Sequence, residues 1–514
     1  MNVHTELSKQ LLIGEAIARL SRKIPDKEAL VFGSRRFSYK ETNKRINRLA
    51  NGLLGLGIKQ GDKVAVLFLN AIEQVECYFA ISKIGAVVVP LNFRLVGAEL
   101  VYQITQSDSQ AVIFGKAFEE IIGTIEKDLP DVKHYIGIDQ NENENTFDYD
   151  EFLKDKKEDE PLVLVRDDDP AFIVYTSGTT GKPKGAVLTH KNLMMDGLNL
   201  LGEMDFPQDT RWLCVPPLFH AAALGLFLTV VLRGGTTIIV EQFVPQKIPQ
   251  MLVDEKISFV FLVPAMWIFL LQVPNINEYD CSELKIGVSG AAIMPVEVKK
   301  QVLEQFPKMM IYDIFGQTEM SPCTTMLKHA DAVRKPGSVG QRIMNVEARV
   351  VDYEGNDVKV GDVGEIVYRG PTTLREYYKN PEATEEAMAG GWFHSGDLVR
   401  EDEDGYIYVV DRAKDMIISG GENIYAAEVE EVIFSHPKVL EVAIIGTPDQ
   451  KWGESVKAIV VPKEGENISE EEIIAHCQEK LASYKKPRSV EIIEILPRNA
   501  AGKVKKFILK EQYN

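Results

Sequence analysis

The chain has 514 residues, of which 45% are hydrophobic and 26% are charged, which is the composition of an ordinary folded globular protein. Its 58 Lys and Arg against 76 Asp and Glu give a net charge of −18, and an acidic chain without a basic block argues against a nucleic-acid partner. A chain of this length is expected to form about two to four domains, each with its own core.

The cysteines and the apolar stretches indicate where the protein works. Five scattered cysteines without a CxxC spacing indicate a reducing, cytoplasmic compartment and argue against a disulfide framework or a zinc site. The N-terminal MNVHTELSKQ lacks the features of a signal peptide. Of two long apolar stretches, 213–232 contains two prolines and a histidine, and 259–273 is shorter than the roughly 20 residues of a membrane span. We therefore expect core elements and no transmembrane segment.

Short apolar runs alternate with amphipathic stretches through the first two thirds of the chain. They are VAVLF (64–68), AVVVP (86–90), AVIF (111–114), TTIIV (236–240) and KIGVS (285–289). Such runs predict buried strands, and their alternation with helices predicts an α/β fold of parallel sheets flanked by helices. We assign residues 1–413 to one large N-terminal domain.

The pattern changes in the last third of the chain. From about 346 to 412, short strands with turns predict a small β-rich subdomain of the large domain. Residues 414–514 are predicted to form a small α+β C-terminal domain. It contains a helix at 426–435, strands at 442–446 and 456–461, and a helix that Ser469 opens with Glu472 in a capping box.

A stretch rich in Gly, Thr and Lys, YTSGTTGKPKG (175–185), lies between two predicted strands, AFIVYTS (171–177) and GAVLTH (185–190). A Walker A loop reads GxxxxGK followed by Ser or Thr, and it joins a strand to a helix. Here Pro183 follows the Gly-Lys pair, and a strand follows the loop. The stretch offers hydroxyl and lysine donors to phosphate oxygens in another geometry, or else it forms a plain hairpin with solvated lysines.

Four further motifs follow the loop in the chain. They are IYDIFGQTEM (311–320), GWFHSGDLV (391–399), YVVDRAKDMIISGGENIYAAEVEEV (408–432) and PRNAAGKVKK (497–506). With these motifs in this order, the chain resembles the adenylate-forming superfamily, which includes acyl-CoA synthetases, over essentially its whole length. The resemblance implies a two-step ligase: a carboxylate attacks the α-phosphate of ATP and pyrophosphate leaves, and a thiol then displaces AMP from the acyl-adenylate.

The resemblance also implies an ATP site and a magnesium site. By the resemblance, Phe315 is expected to stack on adenine, Asp313 to lie near the adenine amino group, and Asp397 with Arg412 to hold the ribose. Thr318 contacts the α-phosphate, while Glu319 and Thr176 help to hold Mg²⁺. The implied ATP-binding set is Thr176, Ser177, Gly178, Thr179, Thr180, Gly181, Lys182, Gly290, Ala291, Ala292, Asp313, Phe315, Gly316, Thr318, Asp397, Arg412 and Lys503.

By the same resemblance, the C-terminal domain is mobile. Lys503 reaches the reacting carboxylate and the α-phosphate, where its charge stabilises the transition state, so Lys503, Thr318, Glu319 and His220 form the implied catalytic set. Lys414 matches a hinge about which the domain rotates, which brings Gly420 and Gly421 against coenzyme A. Many relatives have Pro where this chain has Ala426, and we expect a looser start of that helix.

The resemblance places His220 at the mouth of the acid pocket, although a lone His beside Phe219 is otherwise typical of a satisfied core residue. The implied pocket residues are His220, Ala222, Val263, Trp267 and Gly290. These stretches contain no Asp or Lys for an α-amino group, which favours an apolar acid, and the absence of a carrier domain after Lys503 favours free coenzyme A as the thiol.

We therefore predict a small-molecule ligase with ATP, Mg²⁺, coenzyme A and a medium- to long-chain fatty acid. An aryl, cinnamic or alicyclic acid is the alternative. A phosphate-transferring ATPase, which would form ADP, and a nucleotide-binding protein without catalysis are alternatives of another class. A homodimer and peripheral contact with a membrane are both compatible with this prediction.

Overall fold

The computed structural model describes residues 3–139, 146–176, 183–412, 415–419, 422–449, 451–478, 480–498 and 504–513. Strands and helices alternate in its first part. The strands are β1 (Glu28–Phe32), β2 (Arg35–Ser38), β3 (Lys63–Leu67), β4 (Val87–Leu91), β5 (Ser109–Phe114), β6 (His134–Gly137), β7 (Thr146–Asp148), β8 (Pro170–Thr176) and β9 (Lys184–Thr189). The helices are α1 (Val3–Leu7), α2 (Ile13–Lys23), α3 (Tyr39–Gly55), α4 (Ile72–Lys83), α5 (Gly97–Gln106), α6 (Glu119–Ile125), α7 (Tyr149–Lys154) and α8 (His190–Glu203).

The middle of the chain continues the alternation and then becomes strand-rich. Its strands are β10 (Arg211–Cys214), β11 (Thr236–Ile239), β12 (Phe259–Phe261), β13 (Ile286–Gly290), β14 (Met310–Gly316), β15 (Cys323–Leu327), β16 (Ser338–Arg342), β17 (Glu347–Val351), β18 (Val363–Arg369), β19 (Glu376–Tyr377), β20 (Phe393–Glu401) and β21 (Ile407–Arg412). Its helices are α9 (Ala221–Arg233), α10 (Ile248–Asp254), α11 (Pro264–Leu271), α12 (Val296–Gln305) and α13 (Pro381–Ala387).

Two large sheets carry these elements, as the predicted α/β class requires. One has the order β19-β9-β8-β4-β3-β5-β6-β7 and is parallel from β8 to β7. The other runs β17-β18-β20-β21-β16-β15-β14-β13-β12-β10-β11-β1-β2 and is parallel from β14 to β1. The predicted β-rich subdomain is therefore an antiparallel continuation of the second sheet, and β19 leaves it to pair with β9 of the first.

The last part of the chain has its own sheet, in the order β23-β22-β25-β24 with β26 beside β25. The strands are β22 (Ile417–Ser419), β23 (Glu422–Ile424), β24 (Val439–Asp449), β25 (Gly453–Pro462) and β26 (Ser489–Ile492), and the helices are α14 (Ala426–Phe434), α15 (Glu470–Gln478) and α16 (Lys506–Tyr513). Ser469 Oγ accepts the Glu472 N–H at 3.3 Å, as the capping box predicts. The α+β character is confirmed, while the boundary at 413/414 stays a prediction.

Both apolar stretches are core elements. The first forms β10 and α9, and the second forms β12 and α11. Within the part of the chain that the structure describes, no helix combines the length and the apolar character needed to cross a bilayer. These elements matter for the site because β12, β13 and β14 are parallel and end at one edge of the sheet, where α9 also begins.

Candidate active site

Glu319 is held rigidly just after β14. The strand ends at Gly316, where a Cβ would lie 1.9 Å from the Pro322 carbonyl oxygen, so only glycine fits this close approach. A short turn, Thr318–Met320, follows. The Glu319 side chain is buried, its Oε1 accepts the Tyr377 hydroxyl at 2.8 Å, and its carbonyl accepts the Leu374 N–H at 2.6 Å. Glu319 is therefore fixed in orientation before any ligand binds.

Tyr377 connects Glu319 to the strand that follows the Gly/Thr/Lys stretch. It is opposite Ala186 in the pairing of β19 with β9, and Lys184 Nζ lies 5.2 Å from its ring centroid. Burial and the nearby Glu319 carboxylate raise the pKa of Tyr377, which keeps the hydroxyl protonated as a donor. Through its hydrogen bond and its strand pairing, Tyr377 therefore connects the Glu319 carboxylate to β9, the strand that follows the predicted phosphate loop.

The loop itself joins β8 to β9 in an antiparallel hairpin, which confirms the predicted strand, loop and strand order. Thr176 is opposite Lys184 and donates its hydroxyl to the Lys184 carbonyl at 3.4 Å. The other loop residues of the ATP-binding prediction lie outside the described residues; they are Ser177, Gly178, Thr179, Thr180, Gly181 and Lys182.

The predicted base-binding residues meet where β13 and β14 end. Ser289 pairs with Asp313 across the strands, and the exposed Ala291 and Ala292 follow β13, with Ala291 at φ +66°. Lys299 of α12 contacts Asp313, with 2.5 Å between Nζ and Oδ2. Burial raises the pKa of the Asp313 carboxyl, and the Lys299 charge acts to lower it. Phe315, two residues further along β14, is half-buried.

Asp397 and Arg412, the predicted ribose pair, face each other across β20 and β21. Asp397 is buried, and its N–H donates to Ser395 Oγ at 3.0 Å. The backbone pairing brings the two residues together as the motif predicts. The Arg412 side chain lies outside the described atoms, so its role stays a prediction.

The predicted acid side begins at His220, which precedes α9. The His220 ring lies 4.1 Å from Phe219, which in turn makes an edge contact with Phe93 at 5.5 Å between centroids. Ala222, in the first turn of α9, is half-buried, and so is Val263 before α11. His220 therefore forms a short aromatic row with Phe219 and Phe93 directly before α9.

Trp267 and Gly290, two residues of the predicted acid pocket, lie on different sides of the second sheet. Trp267 is fully buried and packs against Phe306 at 6.2 Å, on the face of the sheet toward α12. Gly290 faces the opposite side, where a Cβ would lie 2.9 Å from the Ile314 carbonyl oxygen and 3.3 Å from Phe261. Whether either residue contacts the acid stays a prediction.

Asp196 is a buried acid that the sequence reasoning missed. It lies in α8, its Oδ1 accepts the Cys323 N–H at 3.0 Å, and its Oδ2 makes no hydrogen bond with a described residue. A Cβ at Gly225 of α9 would lie 2.5 Å from this oxygen. Burial raises the pKa of Asp196 well above its ordinary value, which favours the neutral form of this carboxyl beside α9. An aspartate in a helix gives no sequence signal of burial.

The start of α14 differs from expectation. Ala426 N–H donates to Asp411 Oδ2 at 2.6 Å, a bond that proline could not make, so the helix start is held by β21 and is not looser. The predicted residues Lys414, Gly420, Gly421 and Lys503 lie outside the described residues. In the described ranges, no group of three or more His, Cys, Asp or Glu side chains forms a metal cage.

Known proteins match the chain along its length. The sequence model of the AMP-binding enzyme family matches residues 17–378, and the sequence model of the AMP-binding enzyme C-terminal domain matches residues 428–503. A feruloyl-CoA synthase from Amycolatopsis sp is 38% identical over 98% of this chain and 99% of its own length. The long-chain-fatty-acid–CoA ligase FadD13 from Mycobacterium tuberculosis is 39% identical over 93% of each chain. The crystal structure of ATP-bound MatB from Rhodopseudomonas palustris has a TM-score of 0.89 at 31% identity, and covers 97% of this chain and 99% of its own.

Proposed function

This chain belongs to the family of AMP-binding enzymes and is an AMP-forming acyl-CoA synthetase, and on that premise we propose that the acid it activates is a medium- to long-chain fatty acid. The observation that carries the proposal is the apolar character of the residues next to His220: Phe219 and Phe93 form an aromatic row with its ring, and α9, which begins directly after it, has the sequence AAALGLFLTVVLR. An apolar acid gains about 0.8 kcal/mol for each buried methylene in such surroundings.

The reaction has two displacements. An oxygen of the acid attacks the α-phosphorus of ATP, the bond to the β-phosphate bridging oxygen breaks, and pyrophosphate leaves. The thiol of coenzyme A then loses its proton, its sulfur attacks the acyl carbon, and AMP leaves with the electron pair of the carbon–oxygen bond. Both steps build negative charge on phosphate oxygens, which donors from the chain must balance.

Glu319 suits a magnesium ion that accompanies ATP. Mg²⁺ is usually held by one or two carboxylates together with substrate phosphates. One Glu319 oxygen is occupied by Tyr377, and the other makes no hydrogen bond with a described residue, which leaves it available. When bound, Mg²⁺ neutralises charge on the β- and γ-phosphates. Thr176 is the second proposed contact.

The roles of the remaining residues are part of the proposal. Asp313 and Phe315 receive the base, Asp397 receives the ribose hydroxyls, and Thr318 contacts the α-phosphate. Lys503 supplies positive charge to the first step, and rotation about Lys414 then brings Gly420 and Gly421 to coenzyme A. The hydrogen bond from the Ala426 N–H to Asp411 Oδ2 holds α14 against β21 in one orientation, and the proposed rotation would have to break it.

A second candidate acid is aromatic. The row formed by Phe93, Phe219 and His220 could stack on a flat ring, and one relative of nearly full length is a feruloyl-CoA synthase.

We also place the enzyme in the cytoplasm, since all five cysteines, each within the described residues, are free thiols. A homodimer and contact with a membrane surface remain predictions.

The experiment is a panel of acids with the purified chain. Straight-chain acids from butyrate to palmitate, together with benzoate, cinnamate and ferulate, are supplied with ATP, Mg²⁺ and coenzyme A, and acyl-CoA is quantified by mass spectrometry. A fatty acid giving the highest kcat/KM supports the proposal. Ferulate or another aryl acid exceeding every fatty acid by about tenfold, which equals about 1.4 kcal/mol of transition-state binding, replaces it with the aryl candidate.

A further inference from the structure

An ion pair is buried at the end of β14, next to the predicted base-binding residues. Lys299 Nζ and Asp313 Oδ2 are 2.5 Å apart, and only 3% and 12% of the two side chains are exposed. Burying two charges costs desolvation energy that their attraction often only balances, so a pair of this kind gains little net stability over apolar packing. A role in the site is therefore a better explanation for the pair than stability.

The second carboxylate oxygen of Asp313 points to that role. Asp313 Oδ1 makes no hydrogen bond with any residue that the structure describes, and its side chain keeps some exposure. It is opposite Ser289 at the end of β13, before the exposed Ala291, and two residues before the half-buried Phe315. Asp313 Oδ1 is therefore an acceptor without a partner among the described residues, on the strand that also carries Phe315.

The charge state of Asp313 decides which base it can bind. An ionised carboxylate only accepts hydrogen bonds, and adenine presents an amino donor where guanine presents a carbonyl acceptor. A protonated carboxyl could donate to that carbonyl instead. Burial raises the pKa of Asp313 and the Lys299 charge opposes the rise, so loss of Lys299 shifts the carboxyl further toward its neutral form.

We propose that Lys299 is a positioning residue that sets base specificity: it binds Oδ2 of Asp313, keeps the carboxylate ionised with Oδ1 toward the base, and so selects adenine over guanine. The inference rests on the proposed function only in taking the nucleotide base to lie beside Phe315. Lys299 acts through Asp313 and does not itself contact the base.

The test compares ATP with GTP in the full chain. Equilibrium binding of each nucleotide with Mg²⁺ is measured by calorimetry, and KM and kcat are measured by pyrophosphate release. Lys299→Met should reduce the preference for ATP by about tenfold or more, because the charged hydrogen bond to the amino group is lost. Lys300→Met is the matched control: Lys300 is next along α12, 48% exposed and paired with Glu297, and its loss should not change the ratio.

Two further variants keep the test decisive. Lys299→Arg keeps a positive charge beside Oδ2 of Asp313, so the preference for ATP should be retained. If Lys299→Met does not fold, Lys299→Gln takes its place, since the amide still donates to Oδ2 but has no charge, and the same fall in the ratio is expected. A lower melting temperature with an unchanged ATP to GTP ratio would show that the pair is structural and overturn the proposal. Because binding is measured without an acid, the outcome is independent of which acid is the substrate.

Discussion

Replacing Tyr377 with Phe tests how Glu319 is held. The variant removes the hydroxyl 2.8 Å from Glu319 Oε1 but keeps the ring beside Lys184 and the pairing of β19 with β9. A hydrogen bond to a charged group is worth about 1.5–3 kcal/mol, so the binding of Mg²⁺ and ATP that needs an oriented Glu319 should weaken by roughly tenfold to a hundredfold. We expect the loss in the apparent affinity for Mg²⁺ and ATP, with the KM for acid and for coenzyme A nearly unchanged.

The assay is initial-rate kinetics of pyrophosphate release at varied ATP and Mg²⁺, together with calorimetric binding of the nucleotide. The neighbouring residue provides the control: the Tyr378 hydroxyl donates to the Asp108 carboxylate at 2.8 Å, away from Glu319, so Tyr378→Phe loses a bond of the same kind. Equal nucleotide parameters in Tyr377→Phe, Tyr378→Phe and wild type would refute the reasoning. So would an equal loss for all three substrates in Tyr377→Phe.

Three further predictions follow from described contacts. Ala426→Pro should fold normally, because proline suits the first position of a helix. It removes the N–H bonded to Asp411, so the ratio of the adenylation rate to the thioester rate, measured in single turnover, should shift by about tenfold. An unchanged ratio would show that this bond does not set the orientation of α14 against β21. Burial raises the pKa of Asp196 far above its ordinary 3.8, so the folded protein keeps a proton that the unfolded chain releases, and it loses stability as the pH rises above that value. Asp196→Asn should make the melting temperature fall less as the pH rises from there. Equal slopes in the variant and the wild type would contradict a buried acid with a raised pKa. Ala222→Leu should move the chain-length optimum to shorter acids by about two to four carbons, since each carbon adds roughly 0.8 kcal/mol until the pocket is full. An unmoved optimum in this variant would place the acid elsewhere. Gly290→Ala should instead lower the yield of folded protein, because its Cβ would meet the Ile314 carbonyl.

Local sequence was enough for the elements and for the motif-bearing turns. The run at 64–68 corresponds to β3 (Lys63–Leu67) and that at 236–240 to β11, since buried strands need continuous apolar residues. The hairpin around the Gly/Thr/Lys stretch was likewise predictable, because Pro183 and the following apolar run rule out a helix there.

What the sequence did not reveal depends on the register and on which face of a sheet a helix covers. Trp267 lies in α11 and Gly290 at the end of β13, and they face opposite sides of the second sheet. Lys299 and Asp313 meet only because α12 packs over β14, and Asp196 is buried only because α9 brings Gly225 against it. Each of these contacts is set by tertiary packing, which periodicity along a single element does not encode.

The most direct test of the central claim is to identify the nucleotide product with and without acid. Purified protein is incubated with ATP, Mg²⁺ and coenzyme A, with and without a fatty acid that the panel shows to be used, and the nucleotides and thioester are separated by chromatography. The AMP-forming ligase predicts AMP in equal amount to acyl-CoA, and none without acid. Formation of ADP, or of AMP at the same rate without acid, would contradict the account.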